Sequence, residues 1–176
     1  MKSSVEVAEA AAIIRALGLA PHPKEGGYFR ETYRAAETLP GGVIPRRYAG
    51  SRAVSTAIYY LLTPTTCSAL HRLASDEIFH FYSGDPVEQL RLYPDGRGEV
   101  VTIGNNLAAG MRPQTVVPRG VWQGARLAAG GRYALLGCTV APGFDYADYE
   151  AGARSPLAAA YPDFAVQIAT LTAESG

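Results

Sequence analysis

Leu70-His71-Arg72-Leu73-Ala74-Ser75-Asp76-Glu77-Ile78-Phe79-His80-Phe81-Tyr82-Ser83-Gly84 decides the fold, together with Pro118-Arg119-Gly120-Val121-Trp122-Gln123 further along the chain. Both stretches are rich in aromatic and branched residues, which favour strands. Successive side chains of a strand point to opposite faces. If Glu77 faces an interior, Phe79 and Phe81 face it too, and Ile78, His80 and Tyr82 face away. If His71 faces in, so do Ala69 and Leu73. If Gln123 faces in, so do Val121 and Ala125, and Trp122 points out. This parity gathers His71, Glu77 and Gln123 among apolar and aromatic side chains. A few convergent polar groups in an apolar enclosure is the usual form of a small-molecule site.

The neighbouring sequence supplies the rest of an all-β domain. Strands are expected over 28–34, 54–62, 69–73, 77–82, 87–93, 99–103, 114–117, 121–127 and 133–140. Pro94-Asp95-Gly96-Arg97-Gly98 and Gly130-Gly131 mark hairpin turns. Short strands at this spacing indicate an antiparallel sandwich or barrel. Leu39 to Arg52, with Pro40, Gly41, Gly42, Pro45 and Gly50, reads as a loop that covers a site. Arg46, Arg47 and Arg52 read as solvated there. Helices flank the strands. Ser3 and Glu6 have capping-box spacing, Val7, Ala10, Ile14 and Leu17 share a face, and Gly18 and Pro21 end the first helix. Ser155 with Pro156 is expected to open the last one. One domain over 1–176 accounts for the whole sequence, without repeat or linker.

Charge and composition exclude several classes of function. The 16 basic and 16 acidic residues cancel, so no basic field for nucleic acid exists. No uncharged apolar run reaches the ~20 residues of a membrane span. Lys2, Glu6, Glu9 and Arg15 interrupt the alanine-rich start, unlike a signal peptide, so a cytoplasmic location is expected. Cys67 and Cys138 lie outside any CxxC pair and read as reduced buried thiols. A disulfide between them stays open.

The two opening stretches resemble the paired motifs of the cupin superfamily. His71, Glu77 and Gly84 fit the first motif, with Leu73 where a second histidine is usual. Pro118 and Gly120 fit the second, with Gln123 in place of its histidine. The wider wording is similar to the cupin family catalogued as a domain of unknown function (DUF985, cupin type 5). It comprises Glu25-Gly26-Gly27-Tyr28-Phe29-Arg30-Glu31-Thr32-Tyr33-Arg34, Gly84-Asp85-Pro86, Val117 to Ala125 and Pro142-Gly143-Phe144-Asp145. The likeness covers roughly residues 10 to 172. It implies a jelly-roll barrel, commonly dimeric, without a defined reaction. Gly27-Tyr28-Phe29-Arg30-Glu31 and Leu70-His71 also resemble the deoxysugar-nucleotide 3,5-epimerases, a metal-free cupin family whose first-motif histidine is a base. That family's tyrosine acid and the carboxylate orienting its histidine have no assigned counterpart.

Three functions follow as expectations. The first is an epimerase or isomerase acting on a sugar-like or other small polar substrate. His71, with an ordinary pKa near 6.5, is the base, and Arg30, Glu31, Phe79, Phe81 and Gln123 contact substrate. The second is a ligand-binding barrel without chemistry. The third is a metal-dependent lyase or dioxygenase, with a weakly held divalent metal on His71, Glu77 and Gln123, whose amide oxygen is a poor donor. His22, between two prolines, is expected to be exposed, and Asp76, Asp85, Asp145 and Asp148 to serve turns. A homodimer is expected, burying the 29–34 strand or the face bearing His80 and Tyr82. Neither a nucleic-acid nor a membrane partner is expected.

Overall fold

The computed structural model describes residues 4–172, and side chains from residue 8 onward. The Ser3–Glu6 capping box and the Val7 side chain therefore lie outside the described residues. Helix α1 (Ser4–Leu17) ends at Gly18, which takes a φ of 61°. Thirteen strands follow: β1 (Ala20–Pro21), β2 (Tyr28–Arg34), β3 (Thr38–Leu39), β4 (Arg52–Ala53), β5 (Thr56–Leu62), β6 (Cys67–Leu73), β7 (Asp76–Gly84), β8 (Val87–Leu92), β9 (Gly98–Ile103), β10 (Gln114–Val117), β11 (Trp122–Leu127), β12 (Ala134–Ala141) and β13 (Tyr149–Ala151). Helices α2 (Arg154–Ala160) and α3 (Ala165–Thr170) complete the described chain. Among the described residues, no helix is long and apolar enough to cross a membrane.

The strands form a six-stranded sheet, β1-β2-β5-β12-β7-β10, and a five-stranded sheet, β13-β6-β11-β8-β9. Placing β12 between β5 and β7, and β11 between β6 and β8, is the interleaving of a jelly roll. The sheets face one another without a hydrogen-bonded closure. Their inner faces share one core, with Tyr60, Phe79 and Leu136 from the first and Val87, Ile103 and Ala125 from the second. Leu70, Leu90 and Leu92 on the outer face of the five-stranded sheet pack under α2 and α3, against Leu157, Tyr161 and Ile168. Helix α1 covers one end of the six-stranded sheet, where Ala10 meets Leu61 and Tyr133. The rest of that outer face stays open, with Tyr82 49% and Val116 48% exposed.

Three expectations change. Within the 39–52 loop Arg46 and Arg47 are exposed as expected, but Arg52 is not. Arg52 is buried and makes a two-pronged pair with Asp148, 2.7 Å on each arm. Tyr48 reaches Ser75 at 2.9 Å, and the Arg47 guanidinium donates to the Ala74 carbonyl at 2.9 Å. Burying Arg52 is tolerable because its charge is met in full. Asp148 is thus an ion-pair partner, whereas Asp145 does cap its turn through the Ala147 N–H. Finally, α2 opens one residue before Ser155. Ala153 is at the cap, and the Arg154 side chain ties this end to the Ala169 and Thr172 carbonyls.

Candidate active site

Strand pairing assembles the polar centre as the parity argument requires. His71 on β6 lies opposite Gln123 on β11, and Glu77 on β7 projects from the facing sheet. Gln123 Nε2 donates to Glu77 Oε2 at 2.6 Å and so joins the two sheets. Phe79 is buried beside this centre and Phe81 packs on the same core. His80 points away, bonded to Thr139 at 3.1 Å and Gln114 at 3.3 Å.

Two further members come from the turn between β1 and β2. Ala20 pairs with Phe29 and Pro21 with Tyr28, which folds the intervening residues inward. His22, expected to be exposed, is buried, with only 8% of its surface accessible. Its Nδ1 accepts from the Glu25 N–H at 2.9 Å, and its ring stands 4.6 Å from that of Phe29. Gly26 and Gly27 take φ of 86° and 70°, and a Cβ on Gly26 would meet the Cys67 carbonyl. Only glycine lets this turn approach β6 so closely. The result places Glu25 Oε1 3.6 Å from His22 Nε2 and 3.8 Å from His71 Nε2. Ser68 donates to the other Glu25 oxygen at 3.4 Å.

The hydrogen bonds fix the chemistry of each ring. His71 is 1% exposed, and its Nδ1 lies 2.8 Å from the Ala69 carbonyl, which can only accept. The proton therefore sits on Nδ1, and Nε2 keeps its lone pair. Burial lowers the His71 pKa against the smaller opposing pulls of Glu77 and the Ala69 carbonyl, so the ring is neutral near pH 7. Burial pushes Glu77 up to about 7, with Glu25 adding to the rise and His71, Gln123 and Cys138 opposing it. Glu25 is also raised, by burial above all, with His22 opposing. Burial lowers His22, partly offset by Glu25. Neutral histidines beside carboxyls whose proton affinity is raised suit proton exchange near neutral pH.

The Gln123 amide is held from behind. Its Oε1 accepts from Gln89 at 3.5 Å, and Gln89 Oε1 accepts from Arg91 at 2.9 and 2.6 Å. The guanidinium thus polarises a chain of amides that ends on Glu77. The period-two pattern of Val87, Gln89 and Arg91 was the signal for this inward row. Two polar residues sharing the parity of a core valine invite a search for partners.

Metal ligation does not suit this centre. Gln123 turns its nitrogen, not its oxygen, toward Glu77, and Leu73 stands where an imidazole is needed. Among the described residues, no group of three or more His, Cys, Asp or Glu is disposed to hold a metal. Arg30 and Glu31 also lie outside the centre. Arg30 is on the outer face, donating to the Leu17 carbonyl at 2.9 Å, because Phe29 takes the inward position of β2. Glu31 is exposed and bound by Arg34 at 3.0 and 2.7 Å. Cys67 and Cys138 are both free thiols, and Cys138 hydrogen-bonds Glu77.

Aromatic residues from the 144–149 segment stand over the histidines. Tyr149 stacks on His71 with centroids 5.1 Å apart, and Tyr146 lies 6.3 Å from His22. Burial and the Glu25 charge raise the Tyr149 phenol, so it stays protonated. Lys24 Nζ lies 5.0 Å from the Tyr146 ring centre and 5.4 Å from that of Tyr149.

Comparison with known proteins agrees with this architecture. The family model described as Cupin superfamily (DUF985) matches residues 11–152. The uncharacterized protein YML079W of Saccharomyces cerevisiae is 31% identical over 134 residues, 72% of this chain and 67% of that protein. A hypothetical protein from Leishmania major superposes with a TM-score of 0.83 at 34% identity, covering 94% of this chain and 99% of its own. A Shewanella oneidensis protein gives 0.81 at 31%, covering 99% and 100%. Bacillus subtilis oxalate decarboxylase, at 14% identity and a TM-score of 0.51, shares the fold over 89% of this chain and 38% of its own.

Proposed function

Since the chain belongs to the DUF985 family of the cupin superfamily, we propose that its jelly roll binds a small polar carbonyl compound and that His71 removes a proton from it, in an epimerase or isomerase type of reaction. The observation that carries this reading is the neutral His71 Nε2, kept free by the Nδ1 bond to Ala69 and facing Glu25 at 3.8 Å. A carbon acid beside a carbonyl would lose its proton to Nε2. The imidazolium so formed keeps its Ala69 bond and gains the field of Glu25. Glu77, titrating at about 7, is the acid suited to the enolate oxygen. Inversion needs a second acid to protonate the opposite face, while the enol proton returns to Glu77 and the His71 imidazolium releases its own to solvent. If His71 instead returns its proton to the adjacent carbon, and the hydroxyl on the carbon that first lost its proton passes its own to Glu77 and ends as the carbonyl, the substrate is isomerised. The Ala69 carbonyl orients the His71 ring, while Glu25, with His22 beside it, faces the basic nitrogen.

Solvent-to-substrate deuterium exchange tests this directly. In D₂O the protein should incorporate deuterium into keto-sugar or sugar-nucleotide candidates, and a chelator should leave the rate unchanged. His71→Asn should lower exchange by about 10²–10⁴. Exchange that survives His71→Asn and disappears with chelator would replace this mechanism with metal-assisted enolisation. Binding of several candidates without exchange of any would make the barrel a binding module.

A further inference from the structure

The turn that delivers His22 and Glu25 also carries Lys24, and we propose that Lys24, with Tyr146 and Tyr149, forms an anion subsite, so that the substrate is a small carbonyl compound bearing a carboxylate or phosphate group. This rests on the reading of His71 as base. Lys2 and Lys24 are the only lysines among 16 basic residues. The arginines near the 144–149 segment are already neutralised: Arg34 by Glu31, Arg52 by Asp148 and Arg72 by Glu150. Among the described residues, no carboxylate pairs with Lys24. Its ammonium instead lies over two tyrosine rings, contacts worth only ~0.5–1 kcal/mol at exposed sites. An anion can therefore engage it at little cost, and ring contact leaves its three N–H donors usable.

The backbone that carries Lys24 is held in place. His22 Nδ1 accepts from the Lys24 and Glu25 N–H groups at 3.3 and 2.9 Å, and the His22 N–H donates to the Gly27 carbonyl at 2.9 Å. One aromatic ring, Tyr149, neighbours both groups, with the ammonium 5.4 Å and the His71 ring 5.1 Å from its centre. The buried centre offers an anion no free cation, because Glu25 and Glu77 lie there and Arg91 is committed to Gln89. A charged substrate thus has one favourable orientation, with its anion on Lys24 and its carbonyl end toward Nε2.

Two measurements separate this subsite from the base. The first is titration with inorganic phosphate and, separately, malonate, followed by the amide shifts of Lys24, Glu25 and Gly26. At least one anion should bind, at least tenfold more weakly to Lys24→Gln and near normally to Lys24→Arg; the tighter anion identifies the group. The second is deuterium exchange into dihydroxyacetone phosphate and dihydroxyacetone. The phosphorylated probe should be preferred, and Lys24→Gln should erase that preference chiefly through KM. If neither probe exchanges but an anion binds through Lys24, the base reading fails and the subsite stands. If neither anion binds, or binding is unchanged in Lys24→Gln, the subsite is overturned whatever His71 does.

Discussion

The two faces of β7 take similar residues to opposite ends. Inward, Glu77, Phe79 and Phe81 join a buried polar centre that spans two sheets. Outward, Ile78, His80 and Tyr82 lie on an open surface, where His80 bonds two neutral side chains. The same contrast separates the histidines. His71 has its ring proton fixed by a backbone carbonyl and a carboxylate opposite its lone pair. His80 has a threonine and a glutamine. Side-chain type alone therefore assigns no role, since the environment on each side of the sheet decides what an imidazole can do.

Exchanging the two histidines for asparagine breaks this comparison most sharply. His71→Asn should cut deuterium exchange by about 10²–10⁴, while His80→Asn should leave it within about twofold, as expected of a residue remote from the reacting atoms. Equal losses in the two variants, measured by NMR integration of the exchanging proton, would mean that the sheet does not divide function from surface.

Part of this division was legible before any coordinates. Period-two parity placed His71, Glu77, Gln123, Phe79 and Phe81 together because each sits in a strand long enough to show alternation. Parity was silent about Glu25 and His22, since β1 is two residues long and ends in proline. Long-range pairing, not local pattern, brings that turn inward. The visible trace was Gly26-Gly27, where positive φ and close approach to β6 exclude a side chain. Arg52 and Asp148 lie far apart in sequence, and nothing local to either announces the pair. Arg30 misses the centre by facing outward, whereas Glu31 shares the parity of Phe29 and misses it by its position along the strand. Phe29 holds the inward position, and Glu31 sits further along, where Arg34 claims it.

The inner face also sets a pH dependence of stability. Glu77 is raised from its ordinary 4.5 to about 7 in the folded state. Between those values the folded chain binds the proton and the unfolded chain has released it, so the contribution falls as pH rises through this window. His71 acts in the opposite sense. Its lowered pKa makes stability fall as pH drops below its ordinary 6.5. Glu77→Gln removes the first effect and, by taking away the pull of Glu77 on His71, deepens the second. Its melting temperature relative to the parent should climb from pH 5 to pH 7, by the equivalent of on the order of 3 kcal/mol at most. A constant difference across that range would show that Glu77 ionises normally.

Converting the inner face to a metal site sharpens the same contrast. Leu73 and Gln123 occupy the two positions where the superfamily motif carries histidine, and both are buried on the side of His71. Leu73→His with Gln123→His adds two imidazoles to His71 and Glu77. Calorimetric zinc or nickel affinity should rise by roughly a hundredfold, since two good donors replace a hydrocarbon and an amide. No rise would mean that these side chains do not converge.

The outer face gives the smallest expected effect. Tyr33, Tyr82 and Val116 are exposed on one side of the six-stranded sheet, beyond the end covered by α1. Tyr82 lies flat over Gly137, leaving no room there for a Cβ, and meets Tyr59 edge to face at 6.0 Å. A rigid aromatic surface of this kind loses little side-chain entropy when covered, which suits an interface. A second copy packing this face in two-fold fashion would bury the same patch on both subunits. Light scattering should then show a dimer at micromolar concentration. Tyr82→Ala, which removes a surface ring without opening the core, should weaken the dimer by about tenfold in Kd, or ~1.4 kcal/mol. Each dimer loses two rings, so the effect should exceed that of Val116→Ala on the same face. A parent chain that is monomeric at this concentration, or a dimer indifferent to Tyr82, would leave the outer face of β7 as plain solvent-facing surface.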